Sequence, residues 1–220
     1  MINLEEVVVH LVMFDIDGTL VNSSSFEDVC YTKAVQEVIK HPVDTDWSKY
    51  INVTDSGILH EIIDKNGLYS DWHNIHREVK LSFISHIKSH LHHTQVKEIE
   101  GASAFIQLLR QRDDVVLAIA TGGWEETARL KLESAGIDYS GIAFASGSDH
   151  VGRIDIMKIA EAKCSENGFT SKSYFGDAIW DKKASQALGF NFILVGDQVS
   201  HAKQIMNFNC SDKASALIGL

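Results

Sequence analysis

The stretch Val7-Val8-Val9-His10-Leu11-Val12-Met13-Phe14-Asp15-Ile16-Asp17-Gly18-Thr19-Leu20 decides the fold. Its first eight residues form an almost unbroken apolar run, rich in β-branched side chains and interrupted only by His10. Such a run fits a strand buried on both faces of a parallel sheet, where neither face needs to be polar. Two carboxylates and a glycine follow at once. In open parallel sheets the ligand crevice lies beyond the carboxyl ends of the strands, so this change of character places Asp15 and Asp17 at the edge where chemistry is done.

Working outward, similar short apolar runs recur at 115–120, 142–145, 173–175 and 190–195. Segments with helical spacing lie between them, at 102–110, 125–135, 155–166 and 179–188. Gly136, Gly168 and Gly189 each follow a helical segment, where a left-handed C-cap is wanted. Strand and helix alternating from about residue 97 onward predict an α/β, Rossmann-like doubly wound parallel sheet. Residues 21–96 break the alternation and read as helices only, at 26–40, 55–65 and 71–90. The expected organisation is therefore a core domain of residues 1–20 and 97–220, with an inserted helical cap domain of residues 21–96 over the sheet's carboxyl edge.

The whole chain sets outer bounds. Its 220 residues, 45% apolar and 23% charged, are ordinary for a soluble globular protein. A formal charge of −10 argues against a nucleic-acid partner, because phosphate backbones attract clustered Lys and Arg. It does not exclude a small phosphorylated ligand, since a metal and a local cation can invert the field within one cleft. Cys30, Cys164 and Cys210 are widely spaced and make no CxxC pair, which speaks against a disulfide scaffold or a zinc site. No apolar run reaches the roughly 20 residues of a membrane span and no basic leader opens the chain, so the expectation is a cytoplasmic protein without a membrane partner. Oligomeric state stays open.

Three strands deliver polar residues to one edge. The first ends in Asp15 and Asp17, the second in Thr121-Gly122-Gly123, and the fourth in Gly176-Asp177-Ala178-Ile179-Trp180-Asp181. A carboxylate can attack phosphorus and form an acyl phosphate. Phosphoryl transfer concentrates negative charge, so an anionic nucleophile needs a divalent cation beside it; Mg2+ accepts a few carboxylates and keeps its waters. Asp15 and Asp17, two apart on an extended segment, can face one cavity, one attacking and the other handling a proton. Thr121, Gly122 and Gly123 precede a helix, so a hydroxyl and backbone N–H groups can hold phosphoryl oxygens.

These motifs resemble those of the haloacid dehalogenase superfamily. Asp15-Ile16-Asp17-Gly18-Thr19-Leu20 matches its first motif, Ile119-Ala120-Thr121 resembles the second, and Gly176-Asp177 through Asp181 resembles the fourth. The resemblance implies a nucleophilic Asp15, an acid/base Asp17, and Thr121 bonded to the transferring phosphoryl group. It also implies Mg2+ held by the Asp15 carboxylate, the Asp17 main-chain carbonyl and Asp177, with Asp181 supporting from behind. An aspartate at position 17 is similar to the phosphatases and phosphomutases of the superfamily and unlike its dehalogenases. The expected function is thus a Mg2+-dependent phosphatase acting on a small phosphorylated metabolite, with a phosphomutase of the β-phosphoglucomutase type as the alternative.

The third motif departs from the family. No Lys-Pro pair lies between the third and fourth strands; Arg153, at a loop-to-helix junction, is preferred as the neutralising cation over Lys158. An impaired, regulatory protein of the same fold rests on this departure alone. The helical insertion resembles the cap of phosphoglycolate phosphatase and β-phosphoglucomutase, whose cleft-facing segment is similar to Thr54-Asp55-Ser56-Gly57. Thr54 and Asp55 are therefore expected substrate contacts, although an ordinary helix N-cap explains them as well. His86 and His90, spaced i and i+4, have no acidic or Cys partner at a diagnostic spacing and are expected to face solvent. Trp47, Trp72, Trp124 and Trp180 are expected to serve packing rather than ligand stacking, although Trp124 is close enough to Thr121 to line the cleft.

Overall fold

The computed structural model describes residues 9–164 and 168–220. Six strands form one sheet: β1 (His10–Phe14), β2 (Val115–Ala120), β3 (Ala143–Ala145), β4 (Ser171–Gly176), β5 (Asn191–Val195) and β6 (Gln204–Ile205). Their order is β3-β2-β1-β4-β5-β6 and every pairing is parallel. Eight described helices accompany them: α1 (Ser24–Ile39), α2 (Asp55–Lys65), α3 (Trp72–His93), α4 (Ala102–Arg110), α5 (Glu125–Ala135), α6 (Arg153–Ala162), α7 (Ile179–Ala187) and α8 (Ser211–Ile218). This is the expected α/β doubly wound sheet with a helical cap.

Strand β1 shows why its sequence does not alternate. Val12 and Phe14 enter one apolar cluster with α4, α5 and α8, while Leu11 and Met13 enter another with α6 and α7. Both faces are covered, so successive side chains are all apolar. The stacked rings of Phe14 and Phe175, 5.1 Å apart, join β1 to its neighbour β4 on the first face. A third cluster belongs to the cap. It is built from Tyr31 and Val35 of α1, Leu59 and Ile63 of α2, Val79 and Phe83 of α3, and Trp124 from the core.

Boundaries moved where local signals were weak. Helix α6 starts at Arg153, two residues before its expected start. Strand β6 and helix α8 were not anticipated, because two residues of strand and an eight-residue helix barely register as periodicity. The expected start of the first strand at Val7 and end of the sixth helix at Glu166 lie outside the described residues. Gly136 takes the anticipated left-handed φ of 74° after α5, and the Ile137 N–H closes the helix on the Leu132 carbonyl.

Candidate active site

The sheet register gathers the site. Phe14 pairs with Ile119 on one side and Phe175 on the other, so the chain leaves β1, β2 and β4 at one level. Asp15, Thr121 and Asp177 therefore emerge together. The point where the strand order reverses, between β1 and β4, lies between Asp15 and Asp177. A cavity of about 270 Å³ opens there, lined by residues of both the core and the cap.

Two glycines make the geometry possible. Gly18 turns the chain with φ +72°, and a Cβ on it would lie 2.1 Å from Asp177 Oδ2. Gly122 lets Arg153 lie close, since a Cβ there would meet Arg153 Nη2 at 2.5 Å. Any side chain at either position would displace a charged group of the site.

Asp15 is 3% exposed, and its Oδ1 has no hydrogen-bond partner in the protein. Burial raises its carboxyl above the usual range; the Arg153 guanidinium opposes this, and nearby Asp17 adds to it. Arg153 Nη1 lies 3.5 Å from Asp15 Oδ1 and 2.8 Å from Asp181 Oδ1. Of the two cations left open by the sequence, Arg153 is the one beside Asp15. Lys158 is exposed and pairs with Asp155 at 3.0 Å. The reason is the helix start: Arg153 is the first residue of α6 and can reach back over the strand ends, whereas Lys158 lies more than a turn along on the outer face.

Asp15, Asp177 and Asp181 each bring an oxygen to within 4.8 Å of the others. Burial drives the Asp177 carboxyl up to about 8, reinforced by Asp181 and Asp15. Burial likewise lifts Asp181 to about 7, against the pull of Arg153. Hard oxygen donors that resist ionisation until a cation arrives, together with the unpartnered Asp15 Oδ1, fit a divalent ion such as Mg2+. Asp181 is already committed, its Oδ2 accepting the Ala178 N–H at 3.1 Å and its Oδ1 facing Arg153. Asp15 and Asp177 are the freer donors, and Asp181 fits a supporting place behind them.

Asp17 has partners that sequence reading missed. Lys131, fully buried on α5, places its ammonium 2.5 Å from Asp17 Oδ1 and 2.6 Å from Oδ2. The same ammonium pairs with Glu27 of cap helix α1, and the Ser23 hydroxyl donates to Asp17. Burial would raise the Asp17 carboxyl, but Lys131, Glu27 and Ser23 together hold it below its ordinary value. Burial, beside the Asp17 charge, pushes Glu27 well above the carboxylate range. On sequence alone Lys131 reads as a solvated position on a charged helix, and nothing local marks it as buried. Only the seating of the cap over α5 does so.

Thr121 is buried, and its Oγ1 accepts the Gly123 N–H at 3.3 Å. Thr121, Gly122 and Gly123 all line the cavity. Thr54 and Asp55 line it too, and both also have structural duties. Thr54 caps α2 by accepting the Gly57 N–H at 2.9 Å, and its hydroxyl donates to the Val151 carbonyl at 2.7 Å. Asp55 Oδ2 accepts the Trp124 N–H at 2.7 Å, and burial lifts this carboxyl to about 7. Trp124 serves packing and does not line the cleft. It is fully buried beneath the cap, with its indole N–H donating to Ser56 Oγ at 2.7 Å, while Trp47 and Trp180 form cavity wall instead. His86 and His90 serve separate contacts. His86 pairs with Glu37 at 2.8 Å and His90 stacks on Phe26 at 4.1 Å, so the latter faces an aromatic ring rather than solvent.

Comparison with known proteins now bears on this geometry. No described helix is long and apolar enough to cross a membrane, and no curated protein sequence matches the chain. Solved structures share the fold at low identity. CbbY from Rhodobacter sphaeroides, in complex with phosphate, superposes with TM-score 0.70 at 13% identity, over 97% of this chain and 100% of that one. β-Phosphoglucomutase from Clostridium difficile gives 0.66 at 14% identity, over 86% of each chain. YfnB from Bacillus subtilis, bound to magnesium, gives 0.57 at 14% identity, over 97% of this chain and 100% of that one. The family profile described as haloacid dehalogenase-like hydrolase matches residues 12–195, from within β1 to the last residue of β5. With that match spanning most of its length and all the strand-end motifs, the chain belongs to the haloacid dehalogenase-like hydrolases.

Proposed function

We propose that this hydrolase is a Mg2+-dependent phosphatase that cleaves a small phosphorylated metabolite through a phosphorylated Asp15. Residues 1–20 and 97–220 would form its catalytic core and residues 21–96 its cap. The observation that carries the reading is the buried Asp15 carboxylate in the cavity wall, its Oδ1 accepting no hydrogen bond and lying 3.5 Å from the Arg153 guanidinium. The phosphate of the CbbY complex and the magnesium of YfnB support the same class of ligand.

The residues divide the work. Asp15 attacks phosphorus, the ester oxygen departs and takes a proton from Asp17, which must first take one up against the pull of Lys131, and an aspartyl phosphate remains. Water then attacks that phosphorus and gives its proton to Asp17, releasing inorganic phosphate and free Asp15. Arg153 offsets charge on the nucleophile, and Thr121 with the backbone of Gly122 and Gly123 holds phosphoryl oxygens. Asp15, Asp177 and the Asp17 carbonyl would hold Mg2+, with Asp181 behind; bound there, it supplies charge neutralisation and orientation. The presence of Arg153 at Asp15 also speaks against a protein that has lost its motif-three cation.

A mutase must seat a bisphosphate when the phosphoryl group passes to a second hydroxyl. Among the described residues lining the cavity, Arg153 is the single Lys or Arg, and it is engaged by Asp15 and Asp181. A second phosphoryl group would find no cation, which favours hydrolysis. Phosphate release across a panel of small esters, with Mg2+ and with EDTA, tests the function; absence of any Mg2+-dependent release would overturn it.

Metal binding carries its own pH signature. Folded Asp177 keeps its proton up to about pH 8, whereas its ordinary value is 3.8. The folded chain therefore binds more protons than the unfolded one across that window, and stability falls as pH rises through it. Saturating Mg2+ should raise the thermal midpoint by roughly 5–10 °C at about pH 8, and by less at about pH 5 where the proton competes. Asp177→Asn should flatten both trends. Equal Mg2+ shifts at the two pH values would contradict the assignment.

A further inference from the structure

Helix α1 turns one face to the nucleophile. Ser24, Glu27, Asp28 and Tyr31, at i, i+3, i+4 and i+7, all line the cavity. That spacing makes a single stripe, and it is acidic where a phosphate-binding cap would be basic. In all, six carboxylates and one arginine line the cavity. The arginine is held by Asp15 and Asp181, and the one nearby lysine, Lys131, is buried behind Asp17 and Glu27.

The wall beside this stripe is aromatic. Tyr31 and Trp47 meet edge to face, with ring centroids 6.1 Å apart, and both line the cavity with Asp28. Tyr31 is fixed by its hydroxyl, which donates to the Asp55 carbonyl at 2.6 Å. Aromatic faces next to a carboxylate are the surroundings that attract an organic cation and repel a carboxylate or phosphate. Asp28 makes no ion pair among the described residues, unlike Glu27; burial pushes its carboxyl up, and Trp47 beside it favours the charged form, so a cationic ligand would complete the pair that the protein does not supply. Asp15 lines the same cavity, and its Oδ1, which accepts no hydrogen bond and lies 3.5 Å from Arg153, marks where the phosphoryl group belongs. About 270 Å³ accommodates a phosphoryl group and a short alcohol portion.

We infer that the substrate is a small phosphate monoester whose alcohol portion carries a positive charge, an aminoalkyl phosphate, recognised by the Ser24–Glu27–Asp28–Tyr31 stripe and Trp47. The inference rests on the phosphatase reading and adds the leaving group to it. It separates this chain by charge from enzymes acting on anionic glycolate or sugar bisphosphates.

The test compares kcat/KM with Mg2+ for three size-matched esters: 2-aminoethyl phosphate, 2-hydroxyethyl phosphate and phosphoglycolate. p-Nitrophenyl phosphate is the reporter of phosphatase chemistry itself. The amine should exceed the neutral ester on the order of five- to tenfold, the range of a partly screened charge pair, and the carboxylate should fall below both. Asp28→Asn, which removes the charge and keeps the shape of the side chain, should bring the amine-to-neutral ratio down towards one. Equal rates, preference for the carboxylate, or an unchanged ratio in Asp28→Asn would each overturn the inference, as would hydrolysis of p-nitrophenyl phosphate without the amine. In all those cases the phosphatase reading survives. Failure to release phosphate from any of the four esters would instead remove that reading.

Discussion

Asp15→Asn is expected to lower Mg2+-dependent phosphate release by about 10⁴-fold or more, the scale on which loss of a nucleophile acts. Asparagine keeps the shape of the side chain and removes the charge that attacks phosphorus. The same change should leave stability intact or improve it. Asp15 is buried, and together with Asp177 and Asp181 it forms a group of carboxylates that raise one another's affinity for protons. Removing one charge from such a group relieves repulsion, at the expense of a 3.5 Å contact with Arg153. Circular dichroism melting beside the phosphate assay tells the two effects apart. Activity within about tenfold of the wild type would rule out nucleophilic attack by Asp15. Loss of both activity and folding would leave Asp177→Asn as the parallel measurement, read through Mg2+ binding.

Arg153→Met is expected to damage both stability and turnover. The guanidinium is 10% exposed and touches two buried carboxylates, with a shorter contact to Asp181 than to Asp15. Breaking a buried ion pair by removing one partner strands the other, typically at about 3–5 kcal/mol. The cost should be smaller at about pH 5 than at about pH 8, because Asp181 and Asp177 can each take up a proton near pH 7 and 8 respectively. Loss of a charge aimed at the transferring group should lower kcat/KM by about 10²–10³-fold. Arg153→Lys should recover part of the stability and less of the activity, since an ammonium cannot span two carboxylates as a planar fork does. Urea denaturation without divalent cations, at both pH values, measures the first effect. A variant unfolding at the wild-type midpoint would show that Arg153 does not compensate those carboxylates.

The two predictions rest on residues of different legibility. Asp15 could be read from its place at the end of an apolar run, because a strand buried on both faces must stop being apolar where it leaves the sheet. Asp177 and Thr121 were legible for the same reason, each closing a strand. Arg153 could be narrowed to a pair with Lys158, and only its place as first residue of α6 distinguished the two. For Trp124 the packing reading holds and the cleft-lining one does not, because proximity in sequence to Thr121 does not say which side of the loop its ring takes. It turns under the cap and becomes part of that cap's core.

The sequence by itself determined the sheet, its carboxyl edge and the carboxylates upon it, since those features follow from local apolar pattern and from where the pattern breaks. Tertiary structure alone decided what surrounds them. Lys131 is buried because the cap seats on α5 through α3 and brings Glu27 of α1 to its ammonium, a contact between residues 104 positions apart. The acidic stripe of α1 has meaning only once that helix faces Asp15 across the cavity. Periodicity reports which face of a helix is polar, but not what that face will meet; long-range packing supplies the partner, and with it the charge a ligand must carry.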